Sequence, residues 1–563
     1  MCGIFGCQSL QSQNLVEKTL QGLKILEYRG YDSAGIAYNT TNQLKIIKAV
    51  GGLERLANKI TTPPPTNVCI GHTRWATNGA VSVKNSHPHL SADGSIAVVH
   101  NGIIENYQQC VTKLAKHGIK LKTPVDTEVI PNILYLLSHN KHNIHKYLQG
   151  QYVFCATEQS QNNLFLAKKG SLPLYIGRDQ QTIYISSDTL ALPQSVNQII
   201  AMEDLETCEI INQQPTFYHN NHPIRKDWQP FNQSFVASDK NGFTTYMEKE
   251  INEIPAITQR IITAYQSDPT IRTLQRQFRT QLKTVNCVHL CACGTSYHAA
   301  KIIAHIIERE VHLRAIAHIS SELSATTLLA EPSLAIVISQ SGETADTLAA
   351  MDILQQHNVP IIALCNVTTS TIAKRSQIVF PLLCGPEIAV ASTKVFCAAV
   401  LVGCLLINDY GTISYDNLIE YTTKTLQNAR KLLPTPNKIP HQIFIIGKGI
   451  NYTLALEAAL KIKEVTYLHC EGYPANELKH GPLSLVDDNT LAIVFGDDSV
   501  NASAEIQARG GKVVTLLSPD YQHNPLAFVS QIIPAQIFAL DLALSLGNNP
   551  DKPRNLAKSV TVL

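Results

Sequence analysis

An internal repeat in the C-terminal half constrains the fold of this chain more than any other feature. From about residue 280, apolar strand-like runs alternate with longer helical patterns, which is typical of a parallel sheet covered by helices. A strand-like run followed by a glycine and a tyrosine occurs at 290–297 and again at 444–452. The run Leu-Ala-Ile-Val then recurs at 334–337 and 491–494, at nearly the same spacing. The pattern predicts two copies of one α/β domain.

The first part of the chain, up to roughly residue 235, has a different texture. It holds many short apolar runs of β type with turns between them, and this pattern favours an α+β domain with antiparallel sheets. These runs lie at 68–70, 96–99, 152–154, 164–166 and 183–185. A polar stretch from residue 219 to 242, interrupted by two prolines, is the best candidate for the linker to the C-terminal half.

Composition and charge argue against several classes of partner. The 563 residues leave room for about three to five domains. The 46 basic and 44 acidic side chains give a net charge of +2, so no sequence-wide field attracts nucleic acid or an anionic membrane. The apolar stretch at 395–407 is shorter than the ~20 residues that cross a bilayer, and residues 1–6 lack the pattern of a signal peptide. We therefore expect a cytoplasmic protein that binds neither nucleic acid nor a membrane.

The 14 cysteines fit a reducing compartment, in which thiols stay free. Cys287, Cys291 and Cys293 are close enough in sequence to suggest a metal site. They lie in or next to an apolar strand-like run whose alternate residues face opposite ways, so core packing is favoured over zinc binding.

The two repeat copies differ at the turn that follows the Leu-Ala-Ile-Val strand. In the first copy this turn carries Ser339, Gln340, Ser341 and Thr344 at the start of a helical pattern. Backbone N–H groups and hydroxyls at a helix N-terminus can bind a phosphate, although Ser and Thr are also ordinary helix caps. The turn lacks the Gly-Lys-Ser/Thr ending of a nucleotide-binding loop, which favours a sugar phosphate over ATP. In the second copy, two aspartates within 496–499 would repel a phosphate.

Cys2 has a special place in the chain. Removal of the initiator methionine would leave it with both a thiol and a free α-amine. The α-amine has a pKa of about 8 and can act as a general base at neutral pH. Position alone does not distinguish such a nucleophile from an ordinary cysteine.

Six motifs spread over the N-terminal domain resemble those of the N-terminal-nucleophile glutamine amidotransferases. They are Cys-Gly-Ile-Phe-Gly at 2–6, Tyr-Arg-Gly-Tyr-Asp-Ser-Ala-Gly at 28–35, Gly-His-Thr-Arg-Trp-Ala-Thr at 71–77, His-Pro-His at 87–89, Asn-Gly-Ile-Ile-Glu-Asn at 101–106 and Asp-Thr-Glu at 126–128. The resemblance implies an αββα sandwich of antiparallel sheets. It also implies that Cys2 attacks the side-chain amide of glutamine, releasing ammonia and leaving a glutamyl thioester that water hydrolyses.

The same resemblance implies roles for other residues of this domain. Asn101 and the Gly102 N–H would form the oxyanion hole. Arg74 would pair with the α-carboxylate of glutamine and Asp126 with its α-ammonium. The implied glutamine-binding residues are Arg74, Trp75, Thr77 and Asp126, and Trp75 is also a candidate gate for an ammonia path.

Two details of this domain need separate notice. Similar enzymes often have Thr-His-Gly where this chain has Thr-Asn-Gly at 77–79, which leaves the loop over glutamine in doubt. The histidines at 72, 87, 89 and 100 could suggest a metal cluster. Their irregular spacing and the metal-free mechanism of the family favour packing and loop hydrogen bonds instead.

Further motifs resemble sugar isomerase (SIS) domains. They are Cys-Gly-Thr-Ser at 293–296, Ser-Gln-Ser-Gly-Glu-Thr-Ala-Asp-Thr at 339–347 and Val-Ala-Ser-Thr-Lys at 390–394. With Glu-Leu-Lys-His-Gly-Pro at 477–482 and the tail at 553–562, the resemblance covers nearly the whole chain and points to the glutamine-dependent aminotransferases that isomerise fructose 6-phosphate. The implied sugar-phosphate site comprises Thr295, Ser296, Ser339, Gln340, Ser341, Thr344, Val390, Ser392, Glu457 and Lys461.

Glu457, Lys461 and Glu464 are spaced i, i+4, i+7 on an otherwise apolar helical run. The spacing alone is compatible with a solvated Glu–Lys pair. The resemblance instead makes Glu464 the acid/base that moves a proton between C1 and C2 of the sugar, supported by the other two residues.

His480 and Lys558 complete the implied site. His480 lies in a loop bounded by Gly and Pro, and its near-neutral pKa would suit proton transfer during ring opening. The resemblance implies that this loop is contributed by the neighbouring subunit, and therefore that the protein is a homodimer. Lys558 precedes the C-terminus, where a frayed tail is the ordinary expectation. The resemblance makes it the amine that forms a Schiff base with the open-chain ketose.

The resemblance implies five segments along the chain. They are a glutamine amidotransferase domain at 2–237, a linker and leading helix at 238–279, a first SIS domain at 280–425 that holds the sugar phosphate, a second SIS domain at 438–550, and a tail at 551–563 that carries Lys558.

The expected reaction converts D-fructose 6-phosphate and L-glutamine to D-glucosamine 6-phosphate and L-glutamate, with no metal, nucleotide or pyridoxal cofactor. Two alternatives stay open. One is a glutamine-dependent amidotransferase or deglycase that acts on another phosphosugar. The other is a non-catalytic sugar-phosphate sensor, which the presence of Glu464, His480 and Lys558 disfavours.

Overall fold

The structure is a computed structural model of the chain, and it describes residues 2–40, 43–75, 79–159, 161–231, 240–327, 329, 332–407, 417–436, 438–517 and 527–560. The chain forms two compact units. The first comprises the chain up to residue 239 together with the tail from Ala557, and the second is Lys240–Leu556.

The first unit is built on two antiparallel sheets. Its strands are β1 (Gly3–Gln13), β2 (Ser33–Asn39), β3 (Leu44–Val50), β4 (Thr66–Arg74), β5 (His89–Leu90), β6 (Ile96–Gly102), β7 (Tyr152–Glu158), β8 (Leu164–Lys169), β9 (Tyr175–Arg178), β10 (Thr182–Ser186), β11 (Gln198–Ala201), β12 (Glu206–Ile211), β13 (Gln214–His219), β14 (His222–Ile224) and β15 (Gln229–Pro230). The first sheet has the order β15-β11-β9-β10-β1-β4-β2-β3, and the second has the order β14-β13-β12-β8-β7-β6-β5. Its α-helices are α1 (Leu15–Leu26), α2 (Leu53–Ala57), α3 (Tyr107–Lys116) and α4 (Val129–Leu137).

Side-chain alternation along the strands sorts the core of this unit into layers. Ile4 of β1 packs between the sheets against residues of β6 and β7, whereas its neighbour Phe5 packs on the opposite face with α1. On the outer face of the second sheet, Val98 and Phe154 pack with α3 and α4. Helices therefore cover both sheets, and the expected αββα sandwich is confirmed.

The second unit contains two parallel sheets. Its helices are α5 (Tyr246–Asn252), α6 (Ile254–Ser267), α7 (Pro269–Leu282), α8 (Gly294–Ile306), α9 (Ala345–Gln356), α10 (Thr371–Lys374), α11 (Lys394–Ile407), α12 (Leu418–Leu432), α13 (Ile450–Thr466), α14 (Val500–Gln507), α15 (Ala527–Gln531) and α16 (Ile533–Ser545). Its strands are β16 (Cys287–Ala292), β17 (Arg314–Ile319), β18 (Ser333–Ser339), β19 (Ile361–Cys365), β20 (Ile378–Pro381), β21 (Gln442–Gly447), β22 (Cys470–Pro474), β23 (Thr490–Phe495) and β24 (Lys512–Leu516). The strand orders are β17-β16-β18-β19-β20 and β22-β21-β23-β24.

These two sheets confirm the internal repeat. In each copy the first strand pairs in parallel with the two strands that follow it, so that β16 and β21 hold equivalent places, as do β18 and β23. Gly294 and Gly449 also match, because each stands where a helix begins and each has a positive φ, 54° and 56°. Only a glycine adopts this conformation without strain.

Long apolar stretches lie in the interior of the second unit. Every residue of α11 is buried, as expected for a core helix. The segment Phe528–Ser545 is long and apolar enough to cross a membrane by length and composition alone, but most of it is buried within the fold. Cys287 and Cys291 are also buried in β16, as core packing predicted. Across the described ranges, no group of His, Cys, Asp or Glu has an arrangement that could hold a metal ion.

Candidate functional site

Cys2 lies immediately before β1, where its half-buried thiol faces the end of β4. The Trp75 N–H donates to Cys2 Sγ at 3.3 Å. Burial raises the pKa of the Cys2 thiol, while the charge of the chain terminus, the Trp75 N–H and Arg74 act to lower it. A nucleophile placed here needs a nearby base, and an N-terminal α-amine would be one.

Asn101 and Gly102 end strand β6 beside the thiol. Asn101 Nδ2 donates to the Cys2 carbonyl at 3.0 Å, and Asn101 Oδ1 lies 3.1 Å from His72 Nε2. Gly102 has a φ of 122°, and a Cβ there would meet the Gln151 carbonyl at 2.1 Å. Only a glycine fits this position, because the backbone of Gly102 passes so close to Gln151.

Two side chains of opposite charge border the same thiol. Arg74 ends β4 and is buried; burial lowers the pKa of its guanidinium, and the charges of Cys2, Asp126 and Asp32 oppose that effect. Asp126 is also buried, and its carboxylate accepts hydrogen bonds from the N–H groups of Ile104 at 2.8 Å and Thr127 at 3.0 Å. The structure therefore brings Cys2, Asn101, Gly102, Arg74 and Asp126 together.

Trp75 packs edge-on against Tyr31, with ring centroids 5.7 Å apart. Thr77, expected to bind glutamine, and the divergent Asn78 lie outside the described residues.

The histidines at 72, 87, 89 and 100 are all buried, and His72 lies next to Asn101. His87 Nδ1 lies 3.0 Å from His72 Nδ1, and Thr127 Oγ1 lies 2.8 Å from both His87 Nε2 and His100 Nδ1. The rings of His87 and His89 meet edge-on at 5.0 Å. These histidines pack and form hydrogen bonds, as expected. The sequence did not predict which groups pair with one another.

In the second unit, the polar stripe of α13 faces the start of α8. Lys461 Nζ lies 2.6 Å from Glu464 Oε2 and 3.6 Å from Glu457 Oε1, and it donates to Thr295 Oγ1 at 2.9 Å. Thr295 Oγ1 in turn donates to Glu457 Oε1 at 3.1 Å. Glu457 and Lys461 are fully buried, whereas the Glu464 side chain keeps 19% exposure. This is a buried charged cluster, and the solvated pair that the spacing also allowed is wrong.

The charges in this cluster stabilise one another. Burial on its own lowers the pKa of Lys461, but the carboxylates of Glu464 and Glu457 outweigh burial and raise it. Lys461 is therefore a permanent cation that holds Glu464, the most exposed of the three groups.

Sequence reasoning missed His298. Its Nδ1 lies 2.7 Å from Glu457 Oε2, one helical turn beyond Thr295 on α8. A polar side chain at i+3 from Thr295 was the available signal, but its partner lies on α13, 159 residues away along the chain.

The turn between β18 and α9 carries the expected hydroxyls. Ser339 Oγ accepts from the Gly342 N–H at 3.0 Å and lies 3.2 Å from Thr344 Oγ1. Ser341 Oγ accepts from the Glu343 N–H at 3.2 Å. Gln340, Ser341 and Thr344 are half-buried, as is Ser296 in the first turn of α8. The turn thus collects hydroxyls at the N-terminus of α9, where an anion is favoured.

The segment before α11 holds the last two expected sugar-binding residues. Ser392 Oγ donates to Glu387 Oε2 at 2.8 Å, and the Val390 N–H donates to the Asp551 carbonyl at 3.1 Å. At the equivalent turn of the second repeat copy, Asp497 and Asp498 are both exposed.

Comparison with known proteins assigns the chain to a family. A glutamine amidotransferase domain matches residues 72–194, and a SIS domain matches 282–408 and 439–527. A glutamine–fructose-6-phosphate aminotransferase (isomerizing) of Clostridium acetobutylicum is 32% identical over the full length of both chains. Those of Campylobacter jejuni and Chlamydia trachomatis are 35% identical, also over full length. This chain belongs to the glutamine–fructose-6-phosphate aminotransferase family.

One solved structure agrees with this family assignment, and a second shares the fold of the C-terminal half. The C-terminal domain of glucosamine-fructose-6-phosphate aminotransferase from Francisella tularensis covers 56% of this chain and all of that one, with a TM-score of 0.50 and 27% identity. A tagatose-6-phosphate ketose/aldose isomerase from Escherichia coli, at 22% identity and a TM-score of 0.50 over 55% of this chain and 96% of that one, shares the fold. As a member of the aminotransferase family, the chain is an enzyme.

Two residues with expected roles in this family come from segments outside α13. His480 is exposed at the end of a 3-10 helix, Ala475–His480. Lys558 is half-buried in the tail from Ala557, which belongs to the first unit.

Proposed function

We propose that this enzyme converts D-fructose 6-phosphate and L-glutamine to D-glucosamine 6-phosphate and L-glutamate. The observation that carries the proposal is the pairing, within one chain, of two sites. Cys2 lies beside Asn101 and Arg74 in one unit, and in the other the buried Lys461 pairs with Glu464 and donates to Thr295 at the start of α8. A glutaminase alone would not need the second site, and a sugar isomerase would not need the first.

In the glutaminase half, Cys2 Sγ attacks the side-chain carbonyl of glutamine and the α-amine takes the thiol proton. The amide nitrogen leaves as ammonia, and water hydrolyses the thioester to release glutamate. Asn101 Nδ2 and the Gly102 N–H donate to the oxyanion, a contribution that typically amounts to about 10²–10³ in rate for one donor. Arg74 holds the α-carboxylate and Asp126 the α-ammonium.

In the sugar half, the phosphate binds to the hydroxyls and N–H groups of the turn between β18 and α9, with Ser296. Lys558 forms a Schiff base with the C2 carbonyl of the open-chain ketose, and ammonia then displaces the lysine amine. Glu464 takes a proton from C1 and returns one to C2, so that the imine at C2 becomes an amine and C1 becomes an aldehyde. Lys461 Nζ, 2.6 Å from Glu464 Oε2, places an opposite charge beside the carboxylate that makes these transfers.

The assembly and location belong to the same proposal. We place the enzyme in the cytoplasm as a homodimer, in which the exposed His480 acts in ring opening at the partner's sugar site. Ammonia is channelled from the glutamine site to the sugar site. Along the chain we place a glutamine amidotransferase domain at 2–237, a linker and leading helix at 238–279, SIS domains at 280–425 and 438–550, and the tail that carries Lys558 at 551–563.

The test is product formation with two variants that separate the half-reactions. The parent enzyme should form glucosamine 6-phosphate from glutamine and fructose 6-phosphate, and a panel of other ketose and aldose phosphates should give little product. Cys2→Ala should abolish glutamine-dependent synthesis. Lys558→Arg should abolish amino-sugar formation while glutamine hydrolysis continues. Retained synthesis in either variant would contradict the role assigned to that residue.

A further inference from the structure

The buried histidines at 72, 87 and 100 form hydrogen bonds whose directions can be assigned one after another. His72 Nε2 lies 2.9 Å from the His100 carbonyl oxygen and 3.1 Å from Asn101 Oδ1. A carbonyl oxygen accepts only, so the Nε2 atom of His72 must carry a proton.

Both His72 and His87 are neutral in the folded protein. Burial lowers the pKa of His72 to about 3 and the pKa of His87 well below its usual range. A neutral imidazole has a single N–H, so His72 Nδ1 is bare and accepts. Its neighbour at 3.0 Å is His87 Nδ1, which must therefore be the donor.

The next two steps follow from the same rule. With its proton on Nδ1, His87 has a bare Nε2, and the group 2.8 Å from it is Thr127 Oγ1. Thr127 must give its one hydroxyl proton to His87. Its oxygen then accepts from His100 Nδ1, also at 2.8 Å. His100 Nε2 is bare on this assignment, and it has no hydrogen-bond partner within the part of the chain that the structure describes.

We infer that Thr127, His87 and His72 are positioning residues, which together fix the orientation of the Asn101 side-chain amide. The Nε2 proton of His72 engages Asn101 Oδ1, and this turns Nδ2 toward Cys2, where it donates to the Cys2 carbonyl at 3.0 Å. In the opposite tautomer, a bare His72 Nε2 would face two oxygens. The amide would then turn over and present its oxygen, not its N–H, to the thioester chemistry.

This inference rests on the proposed role of Asn101 as an oxyanion donor, and it predicts an effect on kcat rather than on glutamine affinity. In the proposed site, the charges of Arg74 and Asp126 hold glutamine. Thr127, His87 and His72 are uncharged, so removal of the Thr127 hydroxyl leaves those two charges in place. Loss of one oxyanion donor costs about 10²–10³ in rate, and disorder of its amide should cost part of that.

The kinetic test uses Thr127, because its hydroxyl can be removed with little change of shape. Thr127→Val should lower kcat for glutamine hydrolysis about 10-fold and change KM by less than about 3-fold. Thr127→Ser, which keeps the hydroxyl, should have a kcat close to that of the parent. The fluorescence of Trp75 and Trp228, the chain's two tryptophans, reports whether the first unit stays folded. A parental kcat for Thr127→Val, or an equal loss in Thr127→Ser, would overturn the inference.

A double-mutant cycle shows whether the hydroxyl acts through Asn101. Thr127→Val should have no further effect on kcat in an Asn101→Ala background. An equal effect in both backgrounds would overturn the inference. A parental kcat for Asn101→Ala alone would contradict the proposed role of Asn101, which is a separate failure.

A spectroscopic test reads the two histidine tautomers in the unmodified protein. In ¹⁵N-histidine spectra of the unmodified protein, with signals assigned by their loss in His72→Gln and His87→Gln, we expect His72 as the Nε2–H tautomer and His87 as the Nδ1–H tautomer. A protonated Nδ1 on His72 would overturn the inference even if the Thr127 variants did not fold.

Discussion

At the scale of single residues, two buried clusters hold their titratable groups in opposite states. In the second unit, Lys461 stays charged because two carboxylates lie within 3.6 Å of its ammonium group. In the first unit, burial is the largest influence on His72, His87, His89 and His100, and it lowers the pKa of each. Burial of a charged group is tolerated only when a partner compensates for the lost solvation.

The neutral histidines predict how the stability of the first unit depends on pH. Each has a lower pKa in the folded than in the unfolded chain, where the ordinary value is 6.5, so below pH 6.5 the unfolded chain binds more protons. The contribution of these neutral histidines to the free energy of unfolding should therefore be fully present above pH 6.5 and be lost as the pH falls. For His72 the loss should continue to about pH 3.

Each histidine should contribute a slope of about 1 kcal/mol per pH unit in this window. Urea denaturation followed by tryptophan fluorescence between pH 7.5 and 5 measures this slope, because both tryptophans belong to the first unit. His89→Gln should reduce the slope by about one proton. A free energy of unfolding that does not change over this range would show that the histidines are not neutral in the fold.

At the scale of elements, the turn between β18 and α9 depends on a glycine. Gly342 has a φ of 67°, and a Cβ there would lie 1.9 Å from Ser370 Oγ. The chain passes so close to Ser370 that a side chain at this position must displace either the turn or the start of α10. The hydroxyls of Ser339 and Ser341 would then move with the turn.

Gly342→Ala should raise KM for fructose 6-phosphate about 10-fold or more, because displaced hydroxyls and N–H groups no longer converge on the phosphate. Glutamine hydrolysis measured without sugar should not change. Gly547→Ala is the matched control, since its φ is 73° but, chain neighbours aside, no atom of the described residues lies within 4 Å of the added Cβ. A parental KM in Gly342→Ala would place the phosphate elsewhere.

Local elements were accessible to sequence reasoning, and contacts between distant elements were not. The i, i+4, i+7 spacing correctly placed Glu457, Lys461 and Glu464 on one helix, and the repeated glycines correctly marked two equivalent helix starts. The bond from His298 to Glu457 joins α8 to α13, and no local pattern encodes it. The hydrogen bonds among the buried histidines could not be predicted for the same reason, because the residues that form them come from separate segments of the chain.

At the scale of the whole molecule, we propose a sugar site that needs two subunits and to which the exposed His480 contributes. If the partner chain supplies His480, each sugar site combines Glu464 of one chain with His480 of the other. Two inactive variants should then complement each other when they share a dimer.

The complementation experiment mixes Glu464→Gln and His480→Gln chains that carry different tags. Each homodimer should be inactive in synthesis, whereas the purified heterodimer has one intact site and should show about half of the parental activity. An inactive heterodimer would show that His480 acts within its own chain or that no shared site exists.

In the proposed reaction, the amide nitrogen of glutamine becomes the amine on C2 of the sugar. The most direct test of this transfer is to incubate the enzyme with fructose 6-phosphate and glutamine labelled with ¹⁵N in the amide, in a buffer that contains unlabelled ammonium. Mass spectrometry should detect glucosamine 6-phosphate that carries ¹⁵N. Absence of amino sugar, or amino sugar that carries only unlabelled nitrogen from the buffer, would show that glutamine does not supply the amine.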